Sequence, residues 1–531
     1  MSETFDYVLV GSGPAGCVLA DRLSADGRTT VCILEAGIPD RSPYIRIPAG
    51  FVKTLYKPGF TWPFTTEPGP GLAGRSIKLP QGRLVGGSSS VNGLVYNRGM
   101  AADFDDWAEL GNAGWGYQDV LPYFRKSGRK IGDADDTFRG RQGSLPVTDH
   151  DWPNALCKAF IAGAEEAGIP RNPDYNGAVQ EGAGCFQRII HCGCRVSAAD
   201  AFLHPAIKRG RVSLQTGAVA TGLVLDCNRA TGVRYRQGGA EHVAHARCEV
   251  VLCAGALNSP KILELSGIGD AAVLHGAGIE VRHAMPGVGE NIRDHYSARL
   301  IARATPGTVT INETSRGWRL GREIIRWMAG KPSILALSPS LVHVFTRSAP
   351  GLNRTDLQIL FTPASYQEGK VYVLEDQPGM TCGARPQRPS SIGTVHVRSA
   401  DPMALPAVQP NYLAHEDDQI GMVTACRLAR RLLQTPAMRP FVQQETLPGP
   451  EVETGDEWLD FARRAGNTGY HVVGGCSMGP VANAQAVVSP ELRVHGIERL
   501  RVADASVMPL LPSANTMAAS LMIGEKAADM G

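Results

Sequence analysis

The first forty residues leave this chain few folds to choose from. An apolar run, Tyr7-Val8-Leu9-Val10, meets Gly11-Ser12-Gly13-Pro14-Ala15-Gly16, and a helix-forming stretch, Cys17 to Leu23, follows. A second apolar run, Thr30 to Leu34, ends in Glu35 and Ala36. Strand, glycine turn, helix, strand and acid in that order form the sequence pattern of a nucleotide-binding βαβ unit. Gly11 permits a sharp turn, Gly13 lets backbone approach a pyrophosphate, and Gly16 lets helix and strand pack closely. The pyrophosphate would sit at the positive end of the helix, where free N–H groups point outward. Glu35, nineteen residues beyond Gly16, is spaced to accept hydrogen bonds from an adenosine ribose. A bare glycine turn without a ligand is the alternative, and it would not require the acid. The pattern predicts a bound dinucleotide.

At 531 residues the chain exceeds one ordinary domain. Hydrophobic content of 43% and charged content of 20% are those of a soluble globular protein. The net charge of +2 gives no reason to expect nucleic acid or an anionic membrane as partner. No run reaches the ~18 apolar residues of a membrane span. The N-terminus enters a strand without a basic leader, so a cytoplasmic location is expected. Cys17, Cys32 and Cys253 lie in apolar runs, as small hydrophobes do. Cys192-Gly193-Cys194 lacks further ligands at finger-like spacing, and no metal is expected.

Residues 40–100 are rich in Pro and Gly and read as an extended excursion over a bound ligand. Residues 101–126, 155–167 and 197–207 read as helices, and short β-rich runs recur between 212 and 254. His242 and His245 fall in a polar segment that reads as a solvated turn. From 300 to 460, apolar alternation mixes with amphipathic helices, including 417–433, as in an α+β unit built on a sheet. The tail returns to an α/β pattern with a strand at Leu500–Asp504 and a helix from Met517. The fold class expected is α/β: a discontinuous Rossmann-like nucleotide domain (1–155, 195–300 and 465–531) beside an α+β substrate domain with an antiparallel sheet (156–194 and 301–464).

Five stretches spread over nearly the whole chain resemble the glucose–methanol–choline (GMC) flavin oxidoreductases, nearest the sorbose- and choline-dehydrogenase-like members. They are the N-terminal glycine motif; Gly82 to Gly93; Gly255 to Gly269; Pro286 to His295; and a C-terminal set made of Tyr470-His471, Cys476 to Gly479, Arg501 to Pro509 and Asn515-Thr516-Met517. The resemblance implies FAD, whose flavin end needs a second cradle. Gly86-Gly87-Ser88-Ser89-Ser90 offers backbone N–H groups and hydroxyls for it. The resemblance implies that Asn92, Gly93, Leu94 and Val95 pass beside the isoalloxazine, that Ala220 meets the adenine, and that Ala254 and Gly255 touch the cofactor. Asp504 and Ala505 would lie along the ribityl and phosphate, with Tyr470, Thr516 and Met517 nearby. Arg83 either balances cofactor charge or is a solvated arginine. Some members tether the flavin through a histidine just before this asparagine. Val91 stands there in this chain and forms no such bond, so the FAD is expected to be noncovalent.

Oxidising an alcohol means removing the O–H proton and sending a hydride from carbon to flavin N5. His471 is the one histidine in a family motif at the right place, and an imidazole takes a proton near neutral pH. The resemblance pairs it with Asn515, an amide that orients the alcohol oxygen without carrying charge. Asp294 and His295 read as structural, closing a glycine-rich loop. The expected activity is FAD-dependent oxidation of a sugar, polyol or other small alcohol to the carbonyl. The electron acceptor would be a quinone-like or dye-like compound, or oxygen. A hydroxynitrile lyase of the same family, whose flavin stays oxidised, is the alternative.

Overall fold

A computed structural model describes residues 3–367, 369–370 and 373–531. Val8, Leu9 and Val10 are covered on both sides, which is the condition for a parallel central strand. The strand Glu3–Val10 pairs in parallel with Val31–Glu35, Tyr7 opposite Val31 and Val10 opposite Leu34, and on its other edge with Ala240–Leu252. Val212–Thr216 extends the sheet in parallel beyond Val31–Glu35. Arg229–Gln237 and Val219–Asp226 continue it antiparallel. The seventh strand, Leu500–Val502, comes from the far end of the chain and pairs in parallel with Val250–Leu252. The C-terminal helix Thr516–Asp529 packs on the N-terminal helix Pro14–Leu23, and Arg22 grips the buried Glu525 at 2.7 Å.

Two local readings need correction. The segment read as one helical stretch over 101–126 is two helices, Ala101–Glu109 and Tyr117–Ser127, broken where Gly111 (φ +93°) and Gly114 (φ +81°) turn left-handed. His242 and His245 lie on the long strand Ala240–Leu252 and not in a turn. Its inward face there is made of Ala244 and Ala246, too small to register as an apolar pattern, while His242 stacks on Tyr235 at 5.3 Å.

A second seven-stranded sheet is antiparallel, in the order 442–447, 296–304, 379–386, 357–362, 342–346 and 182–185, with 467–468 paired to 296–297. Strand alternation sorts its faces. Ala298, Leu300, Met380, Cys382 and Ala384 belong to the core beneath the helices Ala155–Glu166 and Glu416–Leu433, where Phe160 stacks on Phe361 at 4.3 Å. Ser297, Arg299, Thr381, Gly383 and Arg385 instead line a cavity that reaches the ends of the parallel strands of the first sheet.

Candidate active site

The cavity begins where the parallel strands end, the usual place for a ligand in an open α/β sheet. Gly11 follows Val10 at φ +101°, and a Cβ there would stand 2.5 Å from the Cys253 carbonyl oxygen, so only glycine fits. Gly13, Pro14 and Ala15 line the cavity at the start of the N-terminal helix, which has no side-chain cap and no acid in its first turn. Gly16 lies behind them. A Cβ on it would stand 2.2 Å from the Gly11 carbonyl oxygen, the close helix packing read from the motif.

Glu35 and Ala36 line the same end. The Glu35 carboxylate accepts Ser12 N–H (3.0 Å) and Ser12 Oγ (2.6 Å) on one oxygen and Gly37 N–H (2.8 Å) on the other. A carboxylate has about four acceptor positions, so one remains for a sugar hydroxyl. Burial raises its pKa against these hydrogen bonds. Ala220 lines the adjoining wall.

Gly87, at φ +54°, is pressed on the first glycine loop: a Cβ there would stand 2.7 Å from Gly13 Cα. The two cradles thus share one edge. Gly86 and Ser90 stand behind this edge and not on the cavity, and Ser90 Oγ donates to the Val85 carbonyl at 2.8 Å. Arg83 also lies off the cavity, its guanidinium 4.3 Å over the Trp62 ring, from where its field favours the charged form of Glu35. Asn92, Gly93, Leu94 and Val95 do line the cavity, as do Ala254 and Gly255. At Gly255 (φ +87°) a Cβ would meet nothing within 4 Å, so the backbone is bare toward the open space. Asp504, Ala505, Thr516 and Met517 complete this part. The Asp504 carboxylate accepts Gly255 N–H at 2.8 Å and Ser259 Oγ at 2.6 Å, tying the tail to the second glycine stretch.

Sequence reading missed Arg195. It is buried beneath the Asn92 loop and donates to Asn92 Oδ1 (2.7 Å), Asn92 O (2.8 Å) and Ser89 O (3.1 Å). Burial pulls its pKa down to about 9. A lone arginine after a cysteine carries no pattern that would have revealed it.

His471 and Asn515 meet on the cavity wall, Asn515 Nδ2 donating to His471 Nε2 at 2.8 Å. Tyr470, left-handed at φ +63°, turns the chain just before His471, and its hydroxyl is 2.5 Å from that of Tyr56. The clamp on this turn is Asp294. One carboxylate oxygen accepts His471 N–H (2.7 Å), and the other accepts Thr468 Oγ1 and Tyr412 OH (2.5 Å each). Burial pushes Asp294 up to about 6, opposed by these three donors.

His295 is more than a loop closure. Its Nε2 lies 2.9 Å from the Gln387 carbonyl oxygen, which can only accept, so Nε2 carries the proton. Burial, helped by Arg385, pulls His295 down to about 3, so the ring is neutral and its Nδ1 is an acceptor. His471 Nδ1, 2.9 Å away, must then donate to it. That leaves the lone pair of His471 on Nε2, toward Asn515 and the cavity. Burial, with Arg385 and His295 adding to it, holds His471 well below the ordinary imidazole range and therefore neutral. The only sequence signal for this relay was Arg293-Asp294-His295 in a glycine-rich loop, far from His471 in the chain.

The family model described as GMC oxidoreductase matches residues 5–297 with its N-terminal part and 389–524 with its C-terminal part. An oxygen-dependent choline dehydrogenase from Photobacterium profundum is 39% identical over 533 residues, spanning 100% of this chain and 93% of its own. Its counterpart from Brucella anthropi is 40% identical over 528 residues, spanning 99% and 95%. The solved pyridoxine 4-oxidase from Mesorbium loti superposes with TM-score 0.88 at 28% identity, covering 99% of this chain and 98% of that one. A formate oxidase variant from Aspergillus oryzae RIB40 shares the fold, with TM-score 0.92 at 24% identity over 99% and 98%.

Proposed function

This chain belongs to the GMC oxidoreductases, and from that premise we propose that it oxidises a small neutral alcohol to the carbonyl, with His471 as base and Asn515 holding the oxygen. The protein is an FAD-dependent enzyme acting on CH–OH donors, and the part built on its first sheet, with the C-terminal strand and helix, would hold the cofactor. Gly11, Gly13 and the N-terminus of helix Pro14–Leu23 would hold the pyrophosphate, and Glu35 the ribose. The edge shared by Gly13 and Gly87, with Asn92 to Val95 and bare Gly255, would take the flavin end. Arg83, Gly86, Gly16 and Ser90 act from behind, shaping the cradle. FAD, when bound, accepts the hydride from the alcohol carbon. Val91, apolar and packed among Ile45, Phe60 and Leu84, supports noncovalent binding.

The reading is carried by one observation: an imidazole lone pair and an amide, 2.8 Å apart, converge on the wall of a cavity that starts at the dinucleotide turn. The substrate hydroxyl donates to His471 Nε2, which takes the proton as the carbon gives up its hydride. Asn515 Nδ2, freed by the incoming oxygen, donates to that oxygen as charge builds on it. His295 holds the Nδ1 proton of His471 in place, and Asp294 fixes its backbone.

The part built on the second, antiparallel sheet would hold the substrate. Its cavity face carries Ser297, Thr362 and Thr381 hydroxyls with the Arg299 and Arg385 guanidiniums, and the carboxylates among the described lining residues are Glu35 and Asp504. A neutral hydroxylated substrate finds hydrogen-bond partners in these hydroxyls and guanidinium N–H groups. Anaerobic mixing with a panel of polyols, sugars, aryl alcohols and choline, followed by flavin absorbance, tests the reading. Bleaching by neutral alcohols is expected. An enzyme that no alcohol bleaches, or that His471→Ala leaves reducible at the parent rate, would overturn it.

A further inference from the structure

The helix Gly317–Met328, GWRLGREIIRWM, is amphipathic in an unusual way. Leu320 and Trp327 reach inward to the two cores, and Trp327 Nε1 donates to the Gly193 carbonyl at 2.7 Å. Glu323 is the one fully buried residue of the helix, and it caps Ile334 N–H at 3.1 Å. Yet the outward stripe is apolar as well: Trp318, Ile325 and Met328 are 73%, 68% and 76% exposed. Three large apolar side chains spaced along one exposed helical face are costly to leave in water.

Cations outnumber carboxylates around this stripe. Arg316, Arg319, Arg322, Arg326 and Lys331 lie within or beside the helix. Arg319 and Arg322 stand 5.9 and 5.8 Å from the Trp318 ring centre. The neighbouring carboxylates are Glu313 on Arg319, Asp376 on Arg316, and Glu323 at 3.7 to 3.8 Å from Arg322 and Arg326. All four arginines remain partly exposed. The patch extends further. The helix packs on the turn Ile334–Ala336, and that turn packs on Pro48–Gly50. On either side of Pro48–Gly50, Tyr44 and Val52 are each 45% exposed, among Arg41, Arg46, Lys53 and Lys57.

We propose that this face seats the protein on an anionic lipid bilayer, with Trp318, Ile325 and Met328 entering the interface and the flanking arginines and lysine meeting lipid phosphates. Indole rings beside guanidiniums are suited to this boundary, with an apolar body and a polar rim. Charge complementarity selects the occupant. A second copy docking by a twofold axis would press this cationic rim against itself, whereas an anionic headgroup layer neutralises it. The site has a consequence for the enzyme: Phe51 and Leu55, on the segment that carries Val52, line the cavity. A bilayer docked here would lie against one wall of the active site.

The test is co-sedimentation of the holoenzyme with vesicles of pure phosphatidylcholine and of equimolar phosphatidylcholine and phosphatidylglycerol at low salt. Sedimentation with the phosphatidylglycerol vesicles is expected. Trp318→Ser/Ile325→Ser/Met328→Ser should weaken it about a hundred-fold, and Arg319→Gln/Arg322→Gln about thirty-fold. Turnover with a soluble dye acceptor should match the parent in both variants, showing that they are folded. The proposal fails if the parent protein stays in solution, or if both variants sediment as the parent does. It also fails if the apolar variant abolishes only a concentration-dependent dimer seen by sedimentation velocity without vesicles, since a second copy would then be the occupant.

Discussion

Replacing His295 with leucine removes the acceptor for His471 Nδ1–H without touching the cavity lining. His471 then has two options. It can keep its proton on Nδ1 as a buried donor without a partner, at a cost of about 1–3 kcal/mol. Or it can move the proton to Nε2, which removes the lone pair proposed to receive the alcohol proton. If only the first form can act as that base, the productive fraction falls by the same free energy, about five- to 150-fold at roughly 1.4 kcal/mol per factor of ten. His295→Gln should restore most of the loss, since its amide can accept from His471 and donate to the Gln387 carbonyl 2.9 Å from the native Nε2. Stopped-flow reduction of the bound flavin under anaerobic conditions reads the step directly, and flavin content per chain reads integrity. Parent-like reduction in His295→Leu, or a glutamine variant as slow as the leucine one, would refute the relay.

Three other outcomes follow from the same geometry. Gly87→Ala forces a side chain to within 2.7 Å of Gly13 Cα at φ +54° and should yield protein largely free of FAD; parent-like flavin content would contradict the shared edge of the two cradles. Acid precipitation of the holoenzyme should release all flavin to the supernatant, and flavin retained in the pellet would disprove noncovalent binding. On acidification, His295 and His343, both pulled by burial from 6.5 to about 3, remain neutral when folded but take up protons when unfolded, so their contribution is full above pH 6.5 and is lost as pH falls toward 3. His471 adds to the same trend. Asp294, raised to about 6, works in the opposite direction, its contribution lost as pH rises. Burial raises Glu35, Glu264 and Asp504 as well, in the same sense as Asp294, while His150, pulled to about 4, joins the other imidazoles. The imidazoles of the unfolded chain take up protons from pH 6.5 downward, before Asp294 does in the folded one, so the melting temperature should begin to drop just below pH 6.5; a rise there would reverse the argument.

What could be read from the sequence was whatever depends on local backbone rules. Gly11, Gly13, Gly16 and Glu35 sit at fixed offsets around one turn, and the strands and helix beside them are contiguous in the chain. His471 and Asn515, which meet on the cavity wall, could be singled out only through family motifs. What escaped was decided by pairings between distant segments. His295 looked structural because its partners, Gln387 and His471, are 92 and 176 residues away. Arg195 supports the Asn92 loop from 103 residues off. Arg299 and Arg385 sit on neighbouring strands of the second sheet, and which face of that sheet borders the cavity depends on where the first sheet lies. The net charge of +2 also averaged away the cationic rim around Trp318, because charge is summed over the chain and not over its surface.

The strand and helix that complete the first sheet arrive late in synthesis. Leu500–Val502 fills an edge of the parallel sheet, Glu525 answers Arg22, and Asn515 lies between them in the chain. A ribosome that stalls early releases a polypeptide lacking the amide that meets His471, an edge strand of the first sheet and the counter-charge of its first helix, all at once. Chains ending before Leu500 lose these contacts of sheet, helix and cavity wall together, so a single truncation strikes the fold and the candidate site at one stroke.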